Sequence, residues 1–311
     1  MSFENIVGNT KIKQELKNVA NSNAVSHSYL FVGEEGIGKK QIAREFAKMI
    51  LCLSQEKEKC NQCDSCIKFI SNNNPDFIEI SEDGNSIKIA QIRELQEKIY
   101  QKPIVSSKKV VIIDNSEKMT EEAQNSLLKT LEEPPEYIVI ILITSNENKL
   151  LNTIKSRCLK LSFVNIDNKE MLEYIDKNQD IQKPSQSILD LSNGSIGRLI
   201  KINDNIEEYN QVDGITKDMI NSNIRNVVKL INQYEVLYKS KEIIFDLLDY
   251  MIAIVYSHIK KNADYRSKFI NIIGIINNAK TKLNSNTNYD MCIDEMLFKI
   301  WEEIDENNSR S

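Results

Sequence analysis

Gly33-Glu34-Glu35-Gly36-Ile37-Gly38-Lys39-Lys40 has the small residues and the lysine of a phosphate-binding loop, with one departure at its last position. Such a loop turns successive backbone N–H groups onto phosphates, uses the lysine for the β/γ charge, and ends in a Ser or Thr whose hydroxyl holds Mg²⁺. Lys40 stands where that hydroxyl belongs. An ammonium meets a phosphate as a point charge, but it has no lone pair to coordinate a metal. A second departure lies further along. Val110-Val111-Ile112-Ile113-Asp114 has the form of a Walker B strand, apolar throughout and ending in an acid, and the next residue is Asn115. An amide orients water through hydrogen bonds but is no base near neutral pH. Together the two substitutions describe a nucleotide-binding fold without hydrolysis.

Two readings of the remaining site residues stand open. Lys39 either holds a nucleotide without hydrolysis or pairs with an acid; Asp114 either ligates a residual metal or caps a loop. Without the hydroxyl ligand, the Mg²⁺ that offsets triphosphate charge is poorly held, which favours an empty or weakly occupied site and makes ATP binding doubtful.

Cys52, Cys60, Cys63 and Cys66 follow as C-x7-C-x2-C-x2-C. Four thiolates at this spacing close a tetrahedral zinc site, and with every position filled by protein the metal is structural. Free surface thiols and an iron-sulfur cluster are the weaker alternatives, because no redox motif surrounds the cysteines. Cys292, among apolar residues, reads as packing.

The elements that position these groups follow from periodicity. Ser28 to Val32, Phe77 to Ile80, Val110 to Asp114, Ile138 to Thr144 and Leu159 to Phe163 read as strands. Ile12, Leu16 and Val19 mark a helix, as do Ile42, Phe46, Met49 and Ile50 after the loop, then Ile89, Ile92, Leu95 and Ile99. Ala123, Leu127, Leu128 and Leu131 mark another, stopped by Pro134-Pro135. The alternation predicts an α/β domain with a mostly parallel sheet over residues 1–165. Beyond it the pattern is helical: a small domain over 166–205, carrying Ile188, Leu189 and Leu191, and a bundle over 206–311, carrying Val227, Val228, Leu230, Ile231 and the stretch Ile243 to Ile259.

The 311 residues suffice for two or three domains, and 41% hydrophobic with 27% charged residues is a globular balance. A net charge of −5 argues against a protein that coats DNA, although a local basic face is unaffected by the total. Ile243 to Ile259 contains Asp246 and Asp249 and is too short for a membrane span, so no membrane partner is expected. Met1-Ser2-Phe3-Glu4 has no basic-then-apolar export signal, which puts the cysteines in a reducing cytoplasm.

Phe3-Glu4-Asn5-Ile6-Val7-Gly8, His27-Ser28-Tyr29-Leu30-Phe31, the cysteine module, Ser126-Leu127-Leu128-Lys129-Thr130-Leu131-Glu132-Glu133-Pro134-Pro135 and Ser156-Arg157-Cys158 together resemble bacterial clamp-loader subunits of the AAA+ class. The resemblance is detailed over residues 1–165 and architectural after that. Hydrolysing members usually carry Glu where Asn115 stands, so the damaged loop and strand look like the delta-prime branch of the DNA polymerase III loader and unlike its gamma/tau motors. The resemblance implies an N-terminal AAA+ domain with a zinc module at about 52–66, a helical lid and a C-terminal collar. It implies gamma/tau and delta subunits as partners, with the sliding clamp and primed DNA reached through the complex.

The family also implies roles. Arg157 would reach into a neighbour's ATP site as a trans arginine finger, whereas without the motif context the residue reads rather as an internal salt bridge or a carbonyl cap. Thr144 falls at the sensor-1 position, or is a polar strand end. Gly33, Gly36, Gly38, Lys39, Lys40, Asp114 and Thr144 would form the degenerate nucleotide site. In Gly194-Ser195-Ile196-Gly197-Arg198 the motor's sensor-2 arginine would fall on Gly197, and Arg198, about a quarter turn away, does not inherit the role. An active gamma/tau-type motor is the enzymatic alternative. A free-standing zinc-dependent DNA-binding module is disfavoured by Glu56, Glu58 and Asp64 beside the lysines of that segment.

Overall fold

The computed structural model describes residues 3–22, 24–55, 57, 60–178, 181–220, 234–261, 266–285 and 287–308. Val227, Val228, Leu230 and Ile231, predicted on the bundle, lie outside the described residues, as do Glu56 and Glu58. The chain forms two compact units, one of residues 1–178 with 194–198, the other of 179–193 with 199–311.

The first unit is built on β1 (Ser28–Val32), β2 (Phe77–Ile80), β3 (Lys109–Ile113), β4 (Ile138–Thr144) and β5 (Leu159–Ser162). The strands pair in the order β2-β3-β4-β1-β5, every pair parallel. All residues of β3 and β4 are buried, as continuous apolar runs require when helices cover both faces. Period-two alternation divides them. Phe31, Val110, Ile112, Val139 and Ile141 face Leu16 and Ala20 of α1 (Thr10–Ser22) and Ile42 and Phe46 of α2 (Lys39–Leu51). Leu30, Val111, Ile113, Ile140 and Leu142 face the other layer. That layer is α4 (Ile89–Ile99) with Ile92, Leu95 and Ile99, and α5 (Glu121–Glu132) with Leu127 and Leu131. The short helix α3 (Asp64–Ile70) joins α2 to β2, and α6 (Asn152–Lys155) precedes β5.

The predicted elements form with small shifts at their ends. β3 starts at Lys109, whose N–H donates to Tyr137 O at 2.8 Å, and stops before Asp114. There the carboxylate Oδ1 accepts the N–H of Asn115 at 3.0 Å and Asn115 turns the chain at φ 47°. Helix α7 (Asn168–Lys177) closes the long stretch of this unit.

The second unit is helical: α8 (Gln186–Ser192), most of α9 (Ile196–Asn203), α10 (Ile206–Ile220), α11 (Glu235–Lys239), α12 (Ile244–Lys261), α13 (Arg266–Asn284) and α14 (Tyr289–Asn308). The apolar stretch predicted not to span a membrane lies in α12, which packs on α8, α10 and α13. No helix among the described residues is long and apolar enough to cross a membrane. The buried Tyr250 hydroxyl of α12 donates to Asp213 of α10 at 3.0 Å. Cys292 is buried, with its thiol 3.5 Å from Ala279 O.

One buried carboxylate fixes the approach to β3. Asp76, with no exposed surface, accepts the N–H groups of Ile104, Val105 and Ser106, each at 2.7 Å. The Ser106 hydroxyl then donates to Leu51 O at 2.8 Å, tying this loop to the end of α2. Replacing Asp76 with Ala removes the acceptor shared by three backbone donors. Urea unfolding of Asp76→Ala is expected to show a loss on the order of 3 kcal/mol, and Asp76→Asn, which keeps one acceptor oxygen, a smaller one. Equal stability of Asp76→Ala and wild type would contradict the assignment.

Candidate functional site

Parallel strands deliver their C-terminal ends to one edge of the sheet, and the loop residues gather there. Gly33 N–H donates to Thr144 O at 3.3 Å, and Gly38, at φ 90°, caps the start of α2. Gly36 is at φ 80°, where a Cβ would lie 2.3 Å from Ser195 Oγ, and a Cβ on Gly197 would lie 2.8 Å from Gly36 Cα. Only two glycines permit this approach. Gly197 N–H donates to Gly36 O at 2.9 Å and the Ser195 hydroxyl to Glu35 O at 2.9 Å. No side chain of arginine size fits at position 197 against this loop.

Lys39 is buried and folds back on its own loop, its Nζ 2.6 Å from Gly33 O and 2.5 Å from Glu34 O. Burial lowers its pKa, against the opposing pull of Glu117, Asp114, Glu35 and Glu34. Lys40 turns the other way, to Glu79 Oε1 at 2.8 Å and Asp114 Oδ2 at 3.0 Å. Burial pulls its pKa down, but the bonds to Glu79 and Asp114 outweigh that and leave it raised. Glu79 also pairs with Arg44, which donates to Asn72 Oδ1 at 2.7 Å and lies over the rings of Phe69 and Phe77.

Glu79 and Arg44 were not singled out from the sequence. Their signals are an acid inside the apolar strand Phe77-Ile78-Glu79-Ile80, and a second cation four residues after Lys40 on the same helix face. Glu117 was missed as well. Its Oε1 accepts the Ser145 N–H at 3.2 Å and hydroxyl at 2.5 Å, beside Thr144, which is itself buried. Burial pushes the Glu117 pKa up, and hydrogen bonds from Ser145, its own amide and Thr144 bring it net below the ordinary value. The Thr144 hydroxyl also accepts the Asn146 N–H at 3.0 Å.

Arg157 lies after α6 at the other end of the sheet. Its carbonyl accepts the Ser28 hydroxyl at 2.6 Å, at the N-terminal end of β1, whereas the loop leaves the C-terminal end of that strand. Five residues of strand separate the two, a span of roughly 16 Å. The guanidinium pairs with Glu132 Oε1 at 2.6 Å and donates to Thr153 O at 2.8 Å, so it is both ion-paired and a carbonyl cap within the chain. About a third of its side chain is exposed. These contacts leave Arg157 with no path to the chain's own loop.

The four cysteines converge, with all sulfur atoms within 4.8 Å of one another and Cys52 Sγ 3.9 Å from Cys63 Sγ. Zinc bonds of about 2.3 Å set tetrahedral S···S edges of about 3.8 Å, so the set fits a metal of that size. The surrounding N–H groups suit thiolates: Ser54 N–H donates to Cys52 Sγ and Cys66 N–H to Cys63 Sγ, each at 3.4 Å. The amides of Gln62 and Cys63 lower the Cys60 thiol to about 6. Cys63 caps α3 and Cys52 ends α2, so the cluster joins two helices.

The Asn115 side-chain amide donates to Glu82 at 3.1 and 3.2 Å. Glu82 is held mainly by Lys118, 2.5 Å away, which with Asn115 lowers its pKa from 4.5 to about 2. A depressed carboxylate stabilises the fold above its ordinary value and loses that contribution as pH falls towards about 2. NMR titration should find the Glu82 midpoint at about 2, moving up towards 4.5 in Lys118→Met. A midpoint unmoved by that substitution would contradict the pairing.

Three comparisons bear on this geometry. The family model described as "DNA polymerase III, delta subunit" matches residues 8–167, just over half of the chain. The DNA polymerase III subunit delta' of Bacillus subtilis (strain 168) is 33% identical over 231 residues, 74% of this chain and 65% of that protein. A Mycoplasma pneumoniae DNA polymerase III subunit gamma/tau is 34% identical over 215 residues, 67% of this chain and 31% of that protein. The chain thus spans less than two thirds of the length of these relatives. A gamma subunit-related protein of Thermotoga maritima aligns over 93% of this chain and 99% of its own at 19% identity, with a TM-score of 0.45. The chain belongs to the DNA polymerase III delta subunit family.

Proposed function

We propose that this chain is a delta-prime-like, non-hydrolysing subunit of the DNA polymerase III clamp loader, lending Arg157 to the ATP site of a neighbouring subunit while the sliding clamp is loaded onto primed DNA. The observation that carries the reading is the separation of Arg157 from the chain's own loop by the length of β1. A guanidinium so placed serves another chain or none. The loop itself supports the negative half of the reading, since Lys40 is bound to Asp114 and Asn115 supplies an amide where a base is needed.

At a neighbour's site the guanidinium would stabilise charge developing on the γ-phosphate, once it leaves Glu132 and Thr153. Residues 1–165 would form the AAA+ module, 166–205 the lid, and 206–311 a collar with gamma/tau and delta subunits. Cys52, Cys60, Cys63 and Cys66 would hold a structural zinc, which when bound ties the end of α2 to α3.

The test is clamp- and DNA-stimulated ATP hydrolysis by a loader reconstituted with its gamma/tau and delta subunits. Arginine fingers contribute about 10³–10⁵ in kcat at one site, so Arg157→Ala should remove that site's share of turnover and leave the others. Unchanged hydrolysis would overturn the trans role. Intrinsic turnover by the isolated chain, abolished by Lys39→Ala, would favour the gamma/tau-type motor, a reading that the gamma/tau relatives support. Elemental analysis of the purified chain should find zinc, lost with Cys63→Ser and Cys66→Ser; a metal-free wild type would overturn that assignment.

A further inference from the structure

The phosphate-loop plan implies a magnesium ion between the hydroxyl that follows the loop lysine and the acid at the end of the Walker B strand. The residues of this chain do not fit one. At the hydroxyl position stands Lys40, and its ammonium already occupies the acid, 3.0 Å from Asp114 Oδ2 and 2.8 Å from Glu79 Oε1. We infer that the Lys40 ammonium is a built-in cation that replaces the divalent ion, so that this loop rejects magnesium and gains nothing from it in binding a nucleoside triphosphate.

Three observations carry the inference. The charge is balanced before any ligand arrives, because Glu79 and Asp114 face Lys40 and Arg44. Mg²⁺ needs near-octahedral oxygen ligands at about 2.0–2.1 Å, and an ammonium supplies none while repelling the dication from the oxygen it holds. Arg44 is set by Asn72 and the two rings, so Glu79 is not left to pair with Lys40 alone. The substitution at position 40 is thereby more than a lost ligand. It adds a competitor fixed at the ligand's place, one that dilution or chelation cannot remove.

The inference deepens the non-hydrolysing reading of the same loop, and it is tested by binding so that the two fail separately. The affinity of the full-length chain for ATP is measured with magnesium and with EDTA, in wild type and in Lys40→Thr, which removes the cation and restores a hydroxyl. Wild type should show the same affinity in both buffers, and Lys40→Thr should bind at least ~10-fold tighter with magnesium. Equal magnesium dependence in the two proteins overturns the inference, as does a Lys40→Thr protein that melts like wild type yet shows none.

Should Lys40→Thr fail to fold, Mn²⁺ titration of wild type in the presence of ATP, read by electron paramagnetic resonance against Asp114→Asn, decides alone. No Asp114-dependent uptake supports the built-in cation, and such uptake overturns it. A wild type that binds ATP more tightly with magnesium than with EDTA, yet without turnover, sinks this inference and leaves the non-hydrolysing reading standing.

Discussion

Burying β3 and β4 on both faces is the constraint from which the rest of the first unit follows. Strands covered by helices on either side keep their interior positions apolar, so polar side chains such as Lys109 and Thr144 fall at the ends of the strands. Because the strands are parallel, the edges are unlike. One receives the glycine loop, Asp114, Thr144 and the loop bearing Glu117; the other receives Ser28 and, through it, Arg157. The sheet therefore keeps the glycine loop and Arg157 apart on one chain, the separation on which the proposed trans role rests.

At the loop edge the chemistry is decided by charge pairing. Lys39 is occupied by the carbonyl oxygens of Gly33 and Glu34, Lys40 by Glu79 and Asp114, and Asn115 by Glu82. Each of these three side chains is thus satisfied by a group of the chain itself. The segment Gly194 to Arg198 adds to this by taking the outward carbonyls of Glu35 and Gly36, a contact that glycine at 36 and 197 makes possible.

The cysteine cluster is anchored to the same frame. The Ser106 hydroxyl bonds Leu51 O just before Cys52 and lies 3.0 Å from the Ser65 hydroxyl just before Cys66, while Asn74 donates to Ser65 O at 2.9 Å. Two of the sulfurs are thus positioned by hydrogen bonds to the loop that Asp76 organises. A metal there would add to a site the polypeptide has largely arranged.

Much of this was legible in the residues alone. Apolar runs bounded by turns gave the five strands, because burial on both faces leaves a continuous pattern, and the boundary errors fell at Lys109, Asp114 and Phe163, where backbone pairing and not hydrophobicity sets the end. The types and spacing of Gly33, Gly36, Gly38, Lys39, Lys40, Asp114 and the four cysteines determined what chemistry was available and what was missing. Only the tertiary structure decided which partner each charge takes. Glu79 and Arg44 left only faint signs in their own segments, and Glu82 and Glu117 none, because the partner each takes comes from a segment that the fold brings beside it. Arg157 and the loop were both read from motifs, yet their placement at opposite ends of β1 follows from strand order and direction, which a linear pattern does not contain.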